Sequence, residues 1–408
     1  MQNRGAAAPG SEELTAGQRR TLLVVAVAGH GLKHLFNAAF FVLLPEIKTG
    51  LALTNSQIGV LSTFRNVLGG IANIPAGYAG DRLSAHRAEI LGSSIILLGV
   101  FALALGLSTT FWAALIFAAL FNVAITFWHP SAISSLSREF ESRRGFAISL
   151  HGTGGSVGET LGPVLAGTLI GVLGWQMVLR GSVVPGVIAG VLIWAILRTI
   201  PTRAGDVQGQ GSYLTSLKGL LGNRRLLLVL TFAGGFVGGQ STFLTFFPIY
   251  LREDLGVSSV TVGLYLLLAN VGGIASQPVM GYFSDRLGRK AILSPSLAVL
   301  GICFLLLTVV PGGWPLAAVA IVMGAFLFPL MAIVLAAGVD LVEPGAQATT
   351  VSLVFGSALV VSAIAPAIAG RLADSQGIEA AMALGAGIVL ATSLLSTVTQ
   401  WRPRTPTT

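Results

Sequence analysis

Residues 77–83 read Gly-Tyr-Ala-Gly-Asp-Arg-Leu, and residues 281–287 read Gly-Tyr-Phe-Ser-Asp-Arg-Leu. The two copies lie 204 residues apart, which is half of the 408-residue chain. A second repeat supports the first, because residues 69–72 and residues 272–275 both read Gly-Gly-Ile-Ala, with the register shifted by one position. The chain is therefore predicted to consist of two related halves.

Long apolar runs surround both copies of this motif. The chain is 53% hydrophobic and only 10% charged, against roughly 25% charged residues in a soluble domain. A helix needs roughly 20 apolar residues to cross a bilayer. Such runs occur at about 21–45, 57–80, 88–107, 111–136, 144–171, 176–198, 225–250, 258–282, 290–310, 315–338, 347–370 and 378–399. We therefore predict an all-α membrane protein with twelve transmembrane helices.

The two motif copies fall at the same end of the second span in each half, so the halves are predicted to be parallel six-helix repeats. The predicted units are a disordered cytoplasmic tail (1–20), a six-helix bundle (21–198), a cytoplasmic linker (199–224), a second six-helix bundle (225–399) and a cytoplasmic tail (400–408).

The positions of the basic residues predict the orientation. With both termini in the cytoplasm, 18 of the 24 Lys and Arg residues fall on the cytoplasmic side, and Lys48, Arg252 and Arg371 fall outside. This asymmetry follows the positive-inside rule. The net charge of +8 therefore faces the lipids of the inner leaflet, and no nucleic-acid partner is expected.

Several activities find no support in the sequence. The single cysteine, Cys303, excludes a disulfide framework and a cysteine-based metal site within one chain. No phosphate-binding loop with Gly-Lys-Ser/Thr occurs, so ATP hydrolysis is not expected. His30 and His34 have i, i+4 spacing, but Lys33 between them would repel a cation. We expect no cofactor, no metal and no enzymatic activity, and a monomer that handles protons and a small molecule.

The motif carries a family resemblance. Its second copy continues as Gly288-Arg289-Lys290, and Gly-x-x-x-Asp-Arg-x-Gly-Arg-Lys between spans two and three is the signature of the major facilitator superfamily, which this chain resembles. In the first copy, residues 84–86 read Ser-Ala-His in place of Gly-Arg-Lys, with Arg87 one place late. The residues that match the signature are Gly77, Asp81, Arg82, Gly281, Asp285, Arg286, Gly288, Arg289 and Lys290.

The physical role expected of this motif is that of a gate at the inner mouth. Glycine lets two helices approach closely, while the Asp and basic residues can form ion pairs or meet helix ends. The alternative is that these charges only cap helix ends and set the topology.

A narrower resemblance links the chain to the fosmidomycin-resistance branch. It rests on His34-Leu35-Phe36-Asn37 in span one, on Phe-Trp-His-Pro at 127–130 in span four, and on the glycine-rich residues 154–163 in span five. Ala38 stands where members of that branch often carry Asp. The span-five motif of exporters is matched by Gly158, Gly162, Pro163 and Gly167, a pattern that permits tight helix crossing and bending.

Ionisable residues inside the spans are concentrated in the first half. His30, Lys33, His34 and Asn37 follow i, i+3, i+4, i+7 and share one helix face. Such groups are costly in lipid, so they are expected to face a cavity or a partner. The cluster could couple proton uptake to movement, or it could be a neutral packing patch.

Further candidates for substrate or proton binding lie in other spans. Arg65 in mid-span requires a partner, and Glu159 is its only intramembrane acid candidate. Glu159 is expected either to carry a proton or to be the structural partner of Arg65 or of a histidine. His129, which precedes Pro130, is expected either to line a cavity or to cap a kinked helix. The full set of additional candidates is Arg65, Asn122, His129, His151, Glu159, Arg180, Gln240 and Asn270.

Three functions stay open at this point. The first is a proton-coupled exporter of a small drug or metabolite that works by alternating access, with an anion favoured by Lys33, Arg65 and Arg180. The second is a proton-linked importer of a small anion, with Arg65 and Arg180 as the anion clamp. The third is a membrane sensor that keeps the scaffold without transport.

Overall fold

The computed structural model describes residues 14–140, 143–202, 222–342, 350, 353–357 and 362–399, and these residues form helices joined by short turns. The helices are α1 (Ala16–Gly50), α2 (Asn55–Arg82), α3 (Arg87–Gly106), α4 (Phe111–Thr126), α5 (Trp128–Glu139), α6 (Arg144–Leu173), α7 (Trp175–Gly181), α8 (Val183–Leu197), α9 (Arg224–Glu253), α10 (Ser259–Leu287), α11 (Arg289–Val309), α12 (Trp314–Val339), α13 (Ala365–Gln376) and α14 (Ile378–Val398).

The all-α membrane fold predicted from the sequence is confirmed. In the described part of the chain, ten helical segments are long and apolar enough to cross a membrane. The two predicted spans not among them are the second, which is the 28-residue α2, and the eleventh, which is described only in part. Spans four and six are each built of two helices, α4 with α5 and α7 with α8.

Helix starts follow local capping rules. α1 begins at Ala16, inside the tail predicted for residues 1–20, because Thr15 and Gln18 form a capping box at its first turn. Thr54 and Gln57 form the same box at the start of α2. Residues 1–13, most of the predicted linker (203–221) and the tail from residue 400 onward lie outside the described residues.

The glycine-rich part of α6 packs directly on α1. A Cβ atom at Gly158 would lie 1.9 Å from the carbonyl oxygen of Gly31, and one at Gly162 would lie 2.5 Å from that of Leu35. Only glycine tolerates this approach of two helix backbones. The result is a close crossing at mid-height of the first half, where the ionisable residues of α1 and α6 are brought side by side.

Candidate functional site

A cavity of about 380 Å³ lies between the two halves of the chain. Its volume falls within the range of small-molecule sites. The apolar part of its wall includes Phe41, Leu266, Met323 and Phe328. The polar part consists of Asn37, Asn66, Asn73, Asn122, Thr126, Glu159, Gln240, Ser241, Asn270 and Ser362.

Five of the candidates from the sequence line this cavity, namely Asn37, Asn122, Glu159, Gln240 and Asn270. Asn66 and Asn73 also line it, and neither was predicted from the sequence. A signal for them was present, because they lie seven residues apart on α2, on the same face as the glycines at 69 and 70.

Four histidines form a cluster next to the cavity, which we call the histidine cluster: His30, His34, His129 and His151. His30 and His151 are buried, and the other two are half-buried. The ring of His30 lies at its centre, with centroids 3.9 Å from His151, 4.5 Å from His34 and 4.8 Å from His129. Gly155 makes room for these rings, because a Cβ atom there would lie 2.6 Å from Cε1 of His30. Spans one, four and five therefore contribute to one site.

Hydrogen bonds fix the tautomers of two rings in this cluster. Nδ1 of His30 lies 2.7 Å from the carbonyl oxygen of His151, and Nδ1 of His151 lies 3.1 Å from that of Ala26. A carbonyl oxygen only accepts, so both Nδ1 atoms carry the proton and donate. In the neutral rings both Nε2 atoms keep a lone pair, and both are buried without a partner in the described part of the chain.

The cluster is poorly arranged for a metal ion. His30, His129 and His151 place ligand nitrogens within 4.8 Å of one another. The rings of His30 and His151 are stacked, however, with an interplanar angle of 11°. Lone pairs in two parallel ring planes do not converge on one ion. Nζ of Lys33 also lies 2.5 Å from Nε2 of His129, where it would compete with a metal.

Glu159 connects the histidine cluster to the cavity. One of its carboxylate oxygens lies 2.7 Å from Nδ1 of His34, while the residue itself lines the cavity. Its backbone carbonyl accepts a hydrogen bond of 3.3 Å from the side chain of Asn270 in the other half. Glu159 therefore contacts the cluster, the cavity and the second half at once.

Arg65 does not pair with Glu159 as the sequence led us to expect. Its guanidinium donates to the Oδ1 atom of Asn37 and lies over the rings of Phe40 and Phe41, at 4.6 and 5.5 Å from their centroids. The carboxylate of Glu159 is instead engaged by His34. An amide oxygen and two aromatic faces replace the acid as partners of the buried cation.

The two arginines of the expected anion clamp contact different helices. Nε of Arg180, on α7, donates to the carbonyl oxygen of Gly106 at the end of α3 over 2.9 Å. Neither Arg180 nor Arg65 belongs to the cavity wall, and Lys33 does not line it either. The first half therefore holds its cations behind the wall or away from it.

The halves contact each other at the end of the molecule that carries residues 51–54 and 254–258, which we call the closed end. Nζ of Lys48 pairs with the carboxylate of Glu253, and Nε of Arg252 lies 2.7 Å from the carboxylate of Glu46. Lys48 and Arg252 are 204 residues apart and occupy equivalent positions in the repeat. From the sequence, these two residues indicated only the topology.

A second contact at the closed end involves Asp374 of α13. Its carboxylate accepts hydrogen bonds of 2.8 and 2.9 Å from the backbone N–H groups of Asn55 and Ser56, and one of 2.5 Å from the Ser56 hydroxyl. It thereby caps the start of α2. Partial burial alone would raise the pKa of Asp374, but the hydrogen bonds from Ser56 and Asn55 outweigh it and hold that pKa below its usual value.

Glycine contacts across the halves follow the repeat. A Cβ atom at Gly59 would lie 2.2 Å from the carbonyl oxygen of Pro366, and one at Gly263 would lie 2.4 Å from that of Pro163. Gly59 and Gly263 are again 204 residues apart. Each half therefore presses a glycine of its second span against a proline of the other half's fifth span.

The opposite end carries the gate motif, and we call it the open end. A Cβ atom at Gly77 or Gly281 would have no neighbour within 4 Å. Arg289 pairs with Asp285 and, over 2.8 Å, with Asp340. These ion pairs stay within the second half. The side chains of Asp81 and Arg82 lie outside the described part of the structure.

The degraded first copy of the motif keeps one contact of the intact copy. Lys290 donates to the carbonyl oxygens of Thr397 and Thr399 over 2.8 and 2.7 Å, at the end of span twelve. Arg87 donates to those of Ile200 and Pro201 over 3.2 and 3.1 Å, at the end of span six. A cation at a helix C-terminus is stabilising. Arg87, one position later than the motif requires, therefore makes in the first half the contact that Lys290 makes in the second.

Comparison with known proteins agrees with this architecture. The family model described as "Major Facilitator Superfamily" matches residues 27–275 and 236–408. The fosmidomycin resistance protein of Escherichia coli K12 is 24% identical over 86% of each chain. The membrane sensor protein UhpC of Salmonella typhimurium is 27% identical over 66% of this chain and 65% of its own.

Solved structures share the fold. A bacterial homologue of the human lysosomal transporter Spinster, in an inward-facing and unoccupied conformation, superposes with a TM-score of 0.77 and 17% identity. The superposition covers 94% of this chain and 96% of that one.

Proposed function

The chain belongs to the major facilitator superfamily, and from this premise we propose that it is a proton-coupled exporter of a small drug or metabolite. Members of this fold move a substrate by exposing one central site to the two sides of the membrane in turn. The cavity between the halves is the site that would bind the substrate. The wall gives no reason to prefer an anion, because Lys33, Arg65 and Arg180 do not line it.

The orientation assigns sides to the two ends. The positive-inside rule places the open end, with Lys290 and Arg87, in the cytoplasm. The closed end, with Lys48 and Arg252, then faces outward. In this state the cavity is accessible from inside the cell, where an exporter collects its substrate. Both termini are cytoplasmic in this arrangement.

The observation that carries the proposal is the position of Glu159 between the histidine cluster and the cavity. With the cavity open to the cytoplasm, Glu159 is ionised and bonded to His34, and substrate binds. After the halves rock, a proton from outside neutralises Glu159 and the substrate leaves.

A tolerance assay in cells tests export. The chain is expressed in an efflux-deficient bacterial strain that is exposed to a panel of antibiotics, with fosmidomycin among them because of the relative's name. We expect at least one compound to be tolerated at a concentration severalfold higher. Glu159→Gln should abolish this gain, while Glu89→Gln, an exposed acid on α3, should retain it at equal expression. Tolerance that survives Glu159→Gln would remove Glu159 from the mechanism.

The sensor is the second candidate, and the similarity to UhpC favours it specifically. A sensor would bind a ligand without moving it. Absence of transport by a purified protein that still binds its ligand would support this function and contradict export. Accumulation of a compound that collapses when the pH gradient is dissipated would instead identify an importer.

A further inference from the structure

We propose that Asn270 is the positioning residue through which the second half of the chain acts on Glu159. Its side-chain amide takes up a backbone carbonyl that Pro163 leaves without its helix partner, and this contact crosses from one half to the other. The proposal rests on the proposed function in taking Glu159 as the residue that carries the proton. The hydrogen bond on which it is built does not depend on that function.

Pro163 removes the usual partner of one carbonyl oxygen in α6. In an α-helix the carbonyl of residue i accepts from the N–H group of residue i+4, and for Glu159 that residue is Pro163. Proline has no N–H group, although α6 continues through this position from Arg144 to Leu173. Membrane helices tolerate proline because neighbouring groups satisfy the freed carbonyl. A donor from outside α6 is therefore expected at Glu159.

Asn270 of α10 supplies this donor. Its NH₂ group lies 3.3 Å from the carbonyl oxygen of Glu159 and 2.9 Å from that of Leu266, one turn earlier on α10. Both acceptors are carbonyl oxygens, which cannot donate, so the amide nitrogen is the atom that faces them. One hydrogen of the amide therefore anchors Asn270 to its own helix, and the other reaches α6 in the first half.

The contact lies at the cavity end of a tightly packed seam between α6 and α10. The carbonyl of Pro163 lies so close to Gly263 that a Cβ atom there would clash with it. One turn further along α6, Glu159 meets Asn270, and both residues line the cavity. The amide is therefore placed where the packed seam ends and the cavity begins.

The turn of α6 that carries Glu159 is held from two sides. Gly158 and Gly162, which flank it, lie against backbone carbonyls of α1 in the same half, and the carboxylate reaches His34 of that helix. Asn270 holds the backbone of the same turn from the second half. A movement of α10 against α6 is therefore transmitted to this turn, and through it to the contact between the carboxylate and His34. The arrangement of the halves and the binding of a proton at Glu159 then affect each other.

Two substitutions test the assignment together. Asn270→Leu removes the donor, whereas Pro163→Ala restores an N–H group that α6 can use for the Glu159 carbonyl. The purified protein in detergent is treated at pH 7 with dicyclohexylcarbodiimide, which modifies protonated carboxyl groups in apolar surroundings, and the labelling rate of Glu159 is measured by mass spectrometry. We expect Asn270→Leu to raise this rate by about tenfold, because the ionised carboxylate loses its hydrogen bond to His34. In the Pro163→Ala background the same substitution should leave the rate unchanged.

Asn66→Leu is the matched control for this experiment. Asn66 lies 204 residues before Asn270, at the equivalent position of the repeat, and it lines the same cavity. Its NH₂ group donates to the hydroxyl of Ser241 on α9. Its replacement therefore makes the wall more apolar to the same degree without removing the donor of the Glu159 carbonyl, and the labelling rate of Glu159 should not change.

Several results would overturn the proposal. An unchanged rate in Asn270→Leu, or an equal rise with and without Pro163→Ala, would show that Asn270 does not act through the freed carbonyl. An equal rise in Asn66→Leu would show that the rate follows only the polarity of the wall. If Asn270→Leu alone yields no folded protein, the double variant should restore folding, and failure to do so would also overturn the proposal. Because labelling needs neither a substrate nor a pH gradient, failure of export does not affect this result.

Discussion

The closed end and the open end of the molecule use similar side chains for opposite purposes. At the closed end, Lys48 and Arg252 pair with acids of the other half. At the open end, Arg289 pairs with acids of its own half. Charged pairs between the halves join them at the closed end, whereas the ion pairs described at the open end stay within the second half. Among the described residues, the two ends therefore differ in the partners of their charges rather than in the presence of charges.

The glycines of the two ends also differ, because Gly59 at the closed end contacts the other half and Gly281 at the open end has no close neighbour. A substitution at Gly59 should have the largest effect on the closed end. Gly59→Ala would place a Cβ atom 2.2 Å from the Pro366 carbonyl, and a backbone oxygen cannot move aside without separating the helices. We expect the closed end to open in most molecules. Spin labels at Thr49→Cys and Arg371→Cys, two exposed positions on opposite halves, would report this by electron–electron distance measurement in a Cys303→Ala background.

The matched control for this variant lies at the open end. Gly281→Ala adds a Cβ atom with no neighbour within 4 Å, so the distance distribution at the closed end should not change. If both alanine variants behave alike, steric contact at Gly59 is not what keeps the halves together.

Removing the ion pairs between the halves should have the next largest effect on the closed-end distance. Lys48→Gln with Arg252→Gln removes both cross-half pairs, and partly exposed pairs contribute about 1 kcal/mol each or less. The closed-end population should therefore shift by roughly tenfold. The same pair of spin labels would measure the shift.

Charge reversal provides the control for these ion pairs. Lys48→Glu alone should open the closed end, and Lys48→Glu with Glu253→Lys should close it again. If the double reversal does not restore the short distance, the pair is not a latch between the halves.

Lowering the pH should have the smallest effect on the closed-end distance. Asp374 has a lowered pKa while it caps α2 and an ordinary value of about 4 when it is released. The contact is therefore fully stabilising above pH 4 and is lost as the pH falls through the lowered pKa. The closed-end distance should be constant from about pH 7 to 5 and should lengthen only below about pH 4. Asp374→Asn should remove the contribution that this contact makes to the dependence.

Much of this architecture could be read from the sequence, because it depends on local patterns. Twelve apolar runs and a motif repeated at half the chain length predict parallel repeats. The face shared by His30, Lys33 and His34 also follows from helical spacing. The gate motif, which occurs at equivalent positions of the two halves, predicts which end of the molecule is the inner mouth.

The remaining features depend on contacts between distant parts of the chain. Lys48 and Glu253 are separated by 205 residues, and no periodicity indicates such a pair. The expected partner of Arg65 was wrong because counting charges favoured an acid, whereas the folded chain supplies an amide oxygen and two aromatic rings.

The central claim is that Glu159 couples proton movement to the substrate. It is tested most directly in proteoliposomes that contain a pH-sensitive dye and a compound found in the tolerance screen. We expect an outward gradient of that compound to drive protons in the opposite direction. We expect Glu159→Gln to abolish proton movement while exchange of labelled for unlabelled compound persists. Proton flux of normal size in Glu159→Gln would show that Glu159 does not couple protons to the substrate. Transport of the compound by the unmodified protein without proton flux would show that no proton coupling exists.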